Sequence, residues 1–280
     1  MDDSIIPYPV RSYLYFSNKK HRIYTVCGVS QTPKAIIGRE ELADMYDQHI
    51  ILDFEMNPVA KIFDEASKLL HREIIEIGAT KVNNNGEVLD TFSCFVKPEF
   101  SYDIAGYITK LTGIKTTDVY QSASLAEVLR RFSEWIGAKK TRIYSWSNSD
   151  LIQLKNECSY KDIVFPFNMH RWMDFQVVFP KLMEIRQCKN LMSLHEAAEW
   201  YGVSFDQRGT HRALYDAKVT TELVVSVLTG EYINQREFLK SLIYRDENEE
   251  KDSGFCLADI CSSFFGQFLY NEQCEPEYVR

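Results

Sequence analysis

Ile50-Ile51-Leu52-Asp53-Phe54-Glu55 is an apolar run that ends in two carboxylates at i and i+2. Its β-branched and aliphatic first half suits a buried strand. Side chains two apart on a strand share a face, so Asp53 and Glu55 are expected side by side at the strand end. Two anions held that way repel and resist joint ionisation. A hard divalent cation such as Mg2+ relieves the conflict and prefers oxygen donors. A lone Asp-x-Glu is also common at solvated strand ends, so the weight falls on the rest of the chain.

Two further segments supply matching chemistry. Ile143-Tyr144-Ser145-Trp146-Ser147-Asn148-Ser149-Asp150 reads as a strand, a polar break and a helix with Asp150 in its first turn. An acid there is also an ordinary helix-start residue. Gly209-Thr210-His211-Arg212-Ala213-Leu214-Tyr215-Asp216-Ala217 opens a helix predicted over 211–229, with His211 at its mouth and Asp216 inside it.

Taken together, Asp53-Phe54-Glu55, Asp150, and His211 with Asp216 five residues on resemble the three motifs of the DEDDh, DnaQ-like 3′–5′ exonucleases. Arg72-Glu73-Ile74-Ile75-Glu76-Ile77-Gly78-Ala79, Phe95-Val96-Lys97-Pro98 and Ile108-Thr109-Lys110-Leu111-Thr112-Gly113-Ile114 resemble supporting phrases in the same order. The likeness covers about residues 48–230 and is strongest to the branch of histone-mRNA 3′-end and sporulation-inhibitor type exonucleases. It implies a site holding two Mg2+ or Mn2+ ions. Asp53 would bridge both, and Glu55 and Asp216 would hold the ion on the nucleophile's side. Asp150 would act largely through bound water. His211 would be the general base, and its ordinary pKa of about 6.5 suits that task. Met56, Asn57, Leu111 and Thr112 would meet the terminal nucleotide, although Leu111 also reads as helix core. Trp146 reads as packing rather than base stacking.

The expected architecture is α/β and RNase H-like. Strands 49–55, 72–82 and 87–97 are antiparallel, the last two joined by an Asn-Gly hairpin turn at 83–86. Strand 141–146 is parallel by its connection. Helices are expected near 104–111, 124–137, 150–158, 171–185, 193–201 and 211–229. The domain reading is an N-terminal extension over 1–47, an exonuclease domain over 48–230, and an acidic extension over 231–280. Within the first, Tyr13-Leu14-Tyr15-Phe16 and Arg22 to Val26 read as short strands, and Glu40 to Gln48 as a helix. Within the last, 244–253 is a charged linker. Phe255 to Tyr270 is an apolar segment that docks on the domain or contacts a second copy or another protein.

Composition fits one large core: 280 residues, 45% hydrophobic and 13% aromatic. No apolar run approaches the roughly 20 residues of a membrane helix, and the N-terminus does not read as a signal peptide. Seven cysteines without such a signal read as reduced thiols, so a cytoplasmic location is expected. Cys256, Cys261 and Cys274 lack the paired spacing of a zinc site. The net charge of −8 looks wrong for a nucleic-acid protein. However, residues 231–280 carry eleven acids and five bases, so only −2 remains for the rest. Lys110, Lys139, Lys140, Arg142, Arg208 and Arg212 are candidate groove residues. The expected function is trimming of single-stranded RNA or DNA 3′ ends to 5′-mononucleotides, RNA favoured. A DNA proofreading-type subunit and a non-catalytic binding module on the same fold are the alternatives. The five intact motif residues argue against the second.

Overall fold

The chain runs β1 (Tyr24–Val26), β2 (Gln48–Pro58), β3 (Arg72–Val82), β4 (Val88–Phe95), α1 (Gly106–Thr112), α2 (Thr116–Tyr120), α3 (Leu125–Ile136), β5 (Thr141–Ser145), α4 (Ser149–Tyr160), β6 (Trp172–Asp174), α5 (Phe175–Leu182), β7 (Ile185–Gln187), α6 (Leu194–Tyr201) and α7 (Ala213–Thr229). This computed structural model describes residues 24–26, 45–60, 70–101, 103–187, 191–204 and 211–239. The backbone forms two compact units, Met1–Ile233 and Asn234–Arg280. All the elements named belong to the first.

A five-stranded sheet runs β4-β3-β2-β5-β6. β2 pairs antiparallel with β3, and β3 antiparallel with β4. β5 lies parallel to β2, and β6 parallel to β5. The central place of β2 explains its unbroken apolar start, because both faces are covered. Ile50, Ile51 and Leu52 are fully buried. The ladder between β2 and β5 ends at Ile51 opposite Tyr144. From Leu52 onward β2 pairs only with β3, so its acidic end lies beyond the carboxyl end of β5, the edge at which ligands of open α/β sheets bind.

The strand period sorts the two faces. Ile50, Leu52 and Phe54 pack with Ile77, Ala79 and the apolar stripe of α3 (Leu125, Val128, Leu129, Phe132 and Ile136). The opposite face of β2 and β3 receives α7. Gly78 makes that approach possible. A Cβ there would lie 2.0 Å from the Leu214 backbone nitrogen. Two residues on, the hydroxyls of Thr80 and Thr221 hydrogen-bond to each other. α4 is pinned at its far end by Lys161, whose Nζ lies 2.9 Å from Glu73 and 2.8 Å from Glu157, all three side chains being buried. Glu157 also accepts from the Ile74 N–H at 2.9 Å. This fixes the helix whose other end carries Asp150.

Two expectations are corrected. Residues 171–185 are not a single helix: Trp172–Asp174 form edge strand β6 and only Phe175–Leu182 are helical. Asp174 accepts from the Val177 N–H and so starts the helix, and Glu184, at φ 56°, closes it. Gln48 opens β2 instead of ending a helix. The short helix α2 was not expected. Its N-terminus is held by Asp118, which accepts from the Lys115 N–H at 2.8 Å. The expected strand 22–26 is present over Tyr24–Val26 and pairs antiparallel with β7. The strand expected over 13–16, the helix expected over 40–44, the linker 244–253 and the apolar segment 255–270 lie outside the described residues. Among the described residues, no helix is long and apolar enough to cross a membrane.

Candidate active site

Asp53 lies opposite Gly78 in the β2–β3 ladder, and Glu55 opposite Glu76. α7 crosses this end of the sheet and brings Asp216 to them. One carboxylate oxygen from each of Asp53, Glu55 and Asp216 lies within 4.8 Å of the others. The Asp216 carboxylate accepts the backbone N–H of His211. Its Oδ1 is buried without a hydrogen-bond partner. Asp150, buried in the first turn of α4, accepts the Phe54 N–H and lies outside this group of three oxygens. Its charge still bears on Asp53.

The electrostatics are those of anions crowded away from water. Burial, then the charges of Asp150, Asp216, Glu55 and Glu76, push Asp53 well above the usual carboxylate range. Burial, with Asp216 and Glu76, pushes Glu55 up to about 8. Burial raises Asp150 to about 7 and Asp216 to about 6. An all-oxygen donor set with one orphaned buried oxygen fits a hard divalent cation such as Mg2+ or Mn2+.

A pH prediction follows. Ordinary carboxylates titrate near 4. Above that pH the unfolded chain has released protons that the folded site still holds. The stability contributed by these protonated acids is therefore complete below about pH 4 and is lost as pH rises through about 6, 7 and 8. Without divalent cation, the melting temperature should fall across that window. Mg2+ should restore it, by more at about pH 9 than at about pH 5. Thermal melts in EDTA and in Mg2+ measure this, and a pH-independent increment would contradict the assigned cluster.

His211 precedes α7 with φ +62°. The left-handed region is uncommon for residues other than glycine, although His is among those that visit it. Burial lowers its pKa below the ordinary value, favouring the neutral imidazole.

The expected substrate residues are placed differently from one another. Leu111 is 48% exposed. Met56 is half-buried against the core. Asn57 is buried and ties α1 to β2, accepting from the Ala105 N–H at 2.9 Å and donating to the Asp103 carbonyl at 3.2 Å. Thr112 is buried and bonds Ile108 and Ile114 of its own backbone. Trp146 packs in the core against Phe175 and Phe179. Among the candidate groove bases, Lys110, Lys139 and Lys140 are exposed. Arg142 is engaged by the Tyr46 hydroxyl. Arg208 lies outside the described residues.

Arg212 has a partner that sequence reasoning missed. It grips the buried Glu76 with Nη2 at 2.7 Å and Nε at 3.1 Å. The available signal was an acid inside the apolar run Ile74-Ile75-Glu76-Ile77, because a buried charge requires a partner.

Comparison with known proteins bears on the family and the fold. A family model of the RNase T type, described as Exonuclease, matches residues 50–224. The chain is 26% identical over 209 residues to ERI1 exoribonuclease 2 of Mus musculus, covering 66% of this chain and 29% of that one. It is 28% identical over 193 residues to a PolC-type DNA polymerase III of Caldanaerobacter subterraneus subsp. tengcongensis, covering 69% of this chain and 12% of that one. The aligned part is thus a minority of each relative's length. Among solved structures, the nuclease domain of 3′hExo, a DEDDh family member bound to rAMP, superposes with a TM-score of 0.55 at 23% identity. That match covers 66% of this chain and 93% of the domain.

Proposed function

The chain belongs to the RNase T exonuclease family, and we propose that it is a metal-dependent 3′–5′ exonuclease of the DEDDh type. In this reading it releases 5′-mononucleotides from single-stranded nucleic acid, with RNA preferred over DNA. Residues 48–230 are the exonuclease domain, flanked by extensions over 1–47 and 231–280. One observation carries the reading: Asp53, Glu55 and Asp216 converge with an unpartnered buried oxygen at the end of the sheet, Asp216 in the first turn of α7 and His211 just ahead of that helix.

Asp53, Glu55 and Asp216 would hold two Mg2+ or Mn2+ ions, with Asp150 acting largely through bound water. When bound, these ions supply positive charge against the phosphate and the leaving 3′-oxygen. His211 takes the proton of the attacking water through its neutral imidazole. The lowered pKa favours that neutral form. Leu111, exposed on α1, and Met56 contact the terminal nucleotide. Asn57 holds α1, and hence Leu111, against β2. The preference for RNA is supported by the exoribonuclease name of the mouse relative. The PolC-type relative favours the second reading, a DNA proofreading-type exonuclease.

End-labelled single-stranded RNA and DNA, incubated with the protein in Mg2+, Mn2+ or EDTA, test this proposal. Stepwise shortening from the 3′ end, lost in EDTA and restored by either metal, is expected, with RNA degraded faster. Undiminished cleavage in EDTA or cutting of circular substrates would refute it.

A further inference from the structure

Glu76 is 1% exposed, and both of its oxygens are occupied. Oε1 accepts from Arg212 Nη2. Oε2 accepts from Arg212 Nε and, at 3.1 Å, from the backbone N–H of Ala213. One strand residue thus grips both the side chain and the main chain at the start of α7. The Arg212 guanidinium also lies over the Phe95 ring, 5.5 Å from its centroid. Phe95 is the cross-strand partner of Glu76 on β4. The gripped residues immediately follow His211.

We infer that Glu76 and Arg212 are a positioning pair that holds His211 in its left-handed backbone conformation and so aims its imidazole. Such a conformation is strained for a residue other than glycine and persists only where its surroundings over-determine it. The residues at and after His211 supply such restraints. The Arg212 carbonyl accepts from Tyr215 and Asp216 N–H groups at 2.8 and 3.0 Å, which locks the turn after His211. The His211 N–H meets the Asp216 carboxylate. The Glu76 grip joins that turn to the sheet, directly across from Glu55. A planar guanidinium makes the two-pronged contact and a lysine cannot. Arg212 also neutralises what would otherwise be another anion beside the carboxylates, and its charge acts to lower Glu55.

This inference rests on the nuclease reading with His211 as base, and the test separates the two. Glu76→Gln and Arg212→Lys are each compared with the wild type and with His211→Ala. Each variant should lower kcat by about 10–100-fold, the scale of a misplaced catalytic group, with KM nearly unchanged and an unaltered Mg2+ requirement. In the His211→Ala background neither should cost more than about twofold, because the group they position is gone. An equal further loss in that background, or a normal kcat in both single variants, overturns the inference. If Glu76→Gln fails to fold, Arg212→Lys carries the same cycle. Amide exchange at residues 211–216 reads the restraint without catalysis. It should accelerate in both variants while β2 and β3 stay protected, and unchanged exchange also overturns the inference. A wild type without nuclease activity would instead refute the functional reading, leaving the exchange result to stand or fall alone.

Discussion

Asp53→Ala should abolish most turnover, by on the order of 10³-fold or more, while the fold survives. Asp53 is the carboxylate on which every other acid of the site bears, with Asp150, Asp216, Glu55 and Glu76 all raising its pKa. Removing it leaves Glu55 and Asp216 without the third carboxylate of their group, so the charge needed opposite the phosphate is poorly held. The same deletion removes the centre of the repulsion. In EDTA, at a pH where the acids ionise, the variant should therefore melt at or above the wild-type temperature, and Mg2+ should stabilise it less. Activity at saturating Mg2+, together with melts in EDTA and in Mg2+, checks both halves. Near-normal turnover, or an unfolded variant, would contradict the role given to Asp53. Asp216→Ala should act in the same direction and also deprive the His211 N–H of its acceptor.

His211→Ala is expected to lose about 10²–10⁴ in rate, the contribution of a positioned base. The wild-type rate should rise with pH through a group titrating below the ordinary histidine value, because burial favours the neutral ring and only that form accepts a proton. In the variant this limb should disappear. Metal affinity, measured by calorimetry, should stay within a few-fold, since only carboxylates form the oxygen cluster. His211→Asn is the backbone control, because Asn also tolerates the left-handed region. Loss of metal binding with the rate would make His211 a ligand or a structural residue. A normal rate would leave it an ordinary helix-entry residue.

Much of this site was legible because its parts obey local periods. Asp53 and Glu55 share a face by strand alternation, and Asp216 follows His211 by little more than one helical turn. Each statement holds within a few residues and survives folding. Other features depend on partners far away. Glu76 and Arg212 are 136 residues apart, and only the packing of α7 on β3 makes them a pair. Trp172-Met173-Asp174 is a strand because β5 offers an edge beside it, while its own sequence runs without interruption into the helical pattern of Phe175 onward. Asn57 and Thr112 show a further ambiguity. An amide or hydroxyl near a site is the same residue type whether it meets a ligand or its own backbone, and here both are occupied by backbone.

The contact at Gly78 gives the site an unusual gauge. Where helices pack on sheets through side chains, the spacing can drift as one residue replaces another. Here, main chain meets main chain, and the separation between β3, the strand paired with Asp53 at Gly78, and the helix that carries Asp216 is set by the thickness of a peptide. That calibration is independent of which apolar residues fill the rest of the interface. It is also brittle. A single added methyl at Gly78 would wedge His211 and Asp216 away from Asp53 together, silencing two chemical partners without altering either of them.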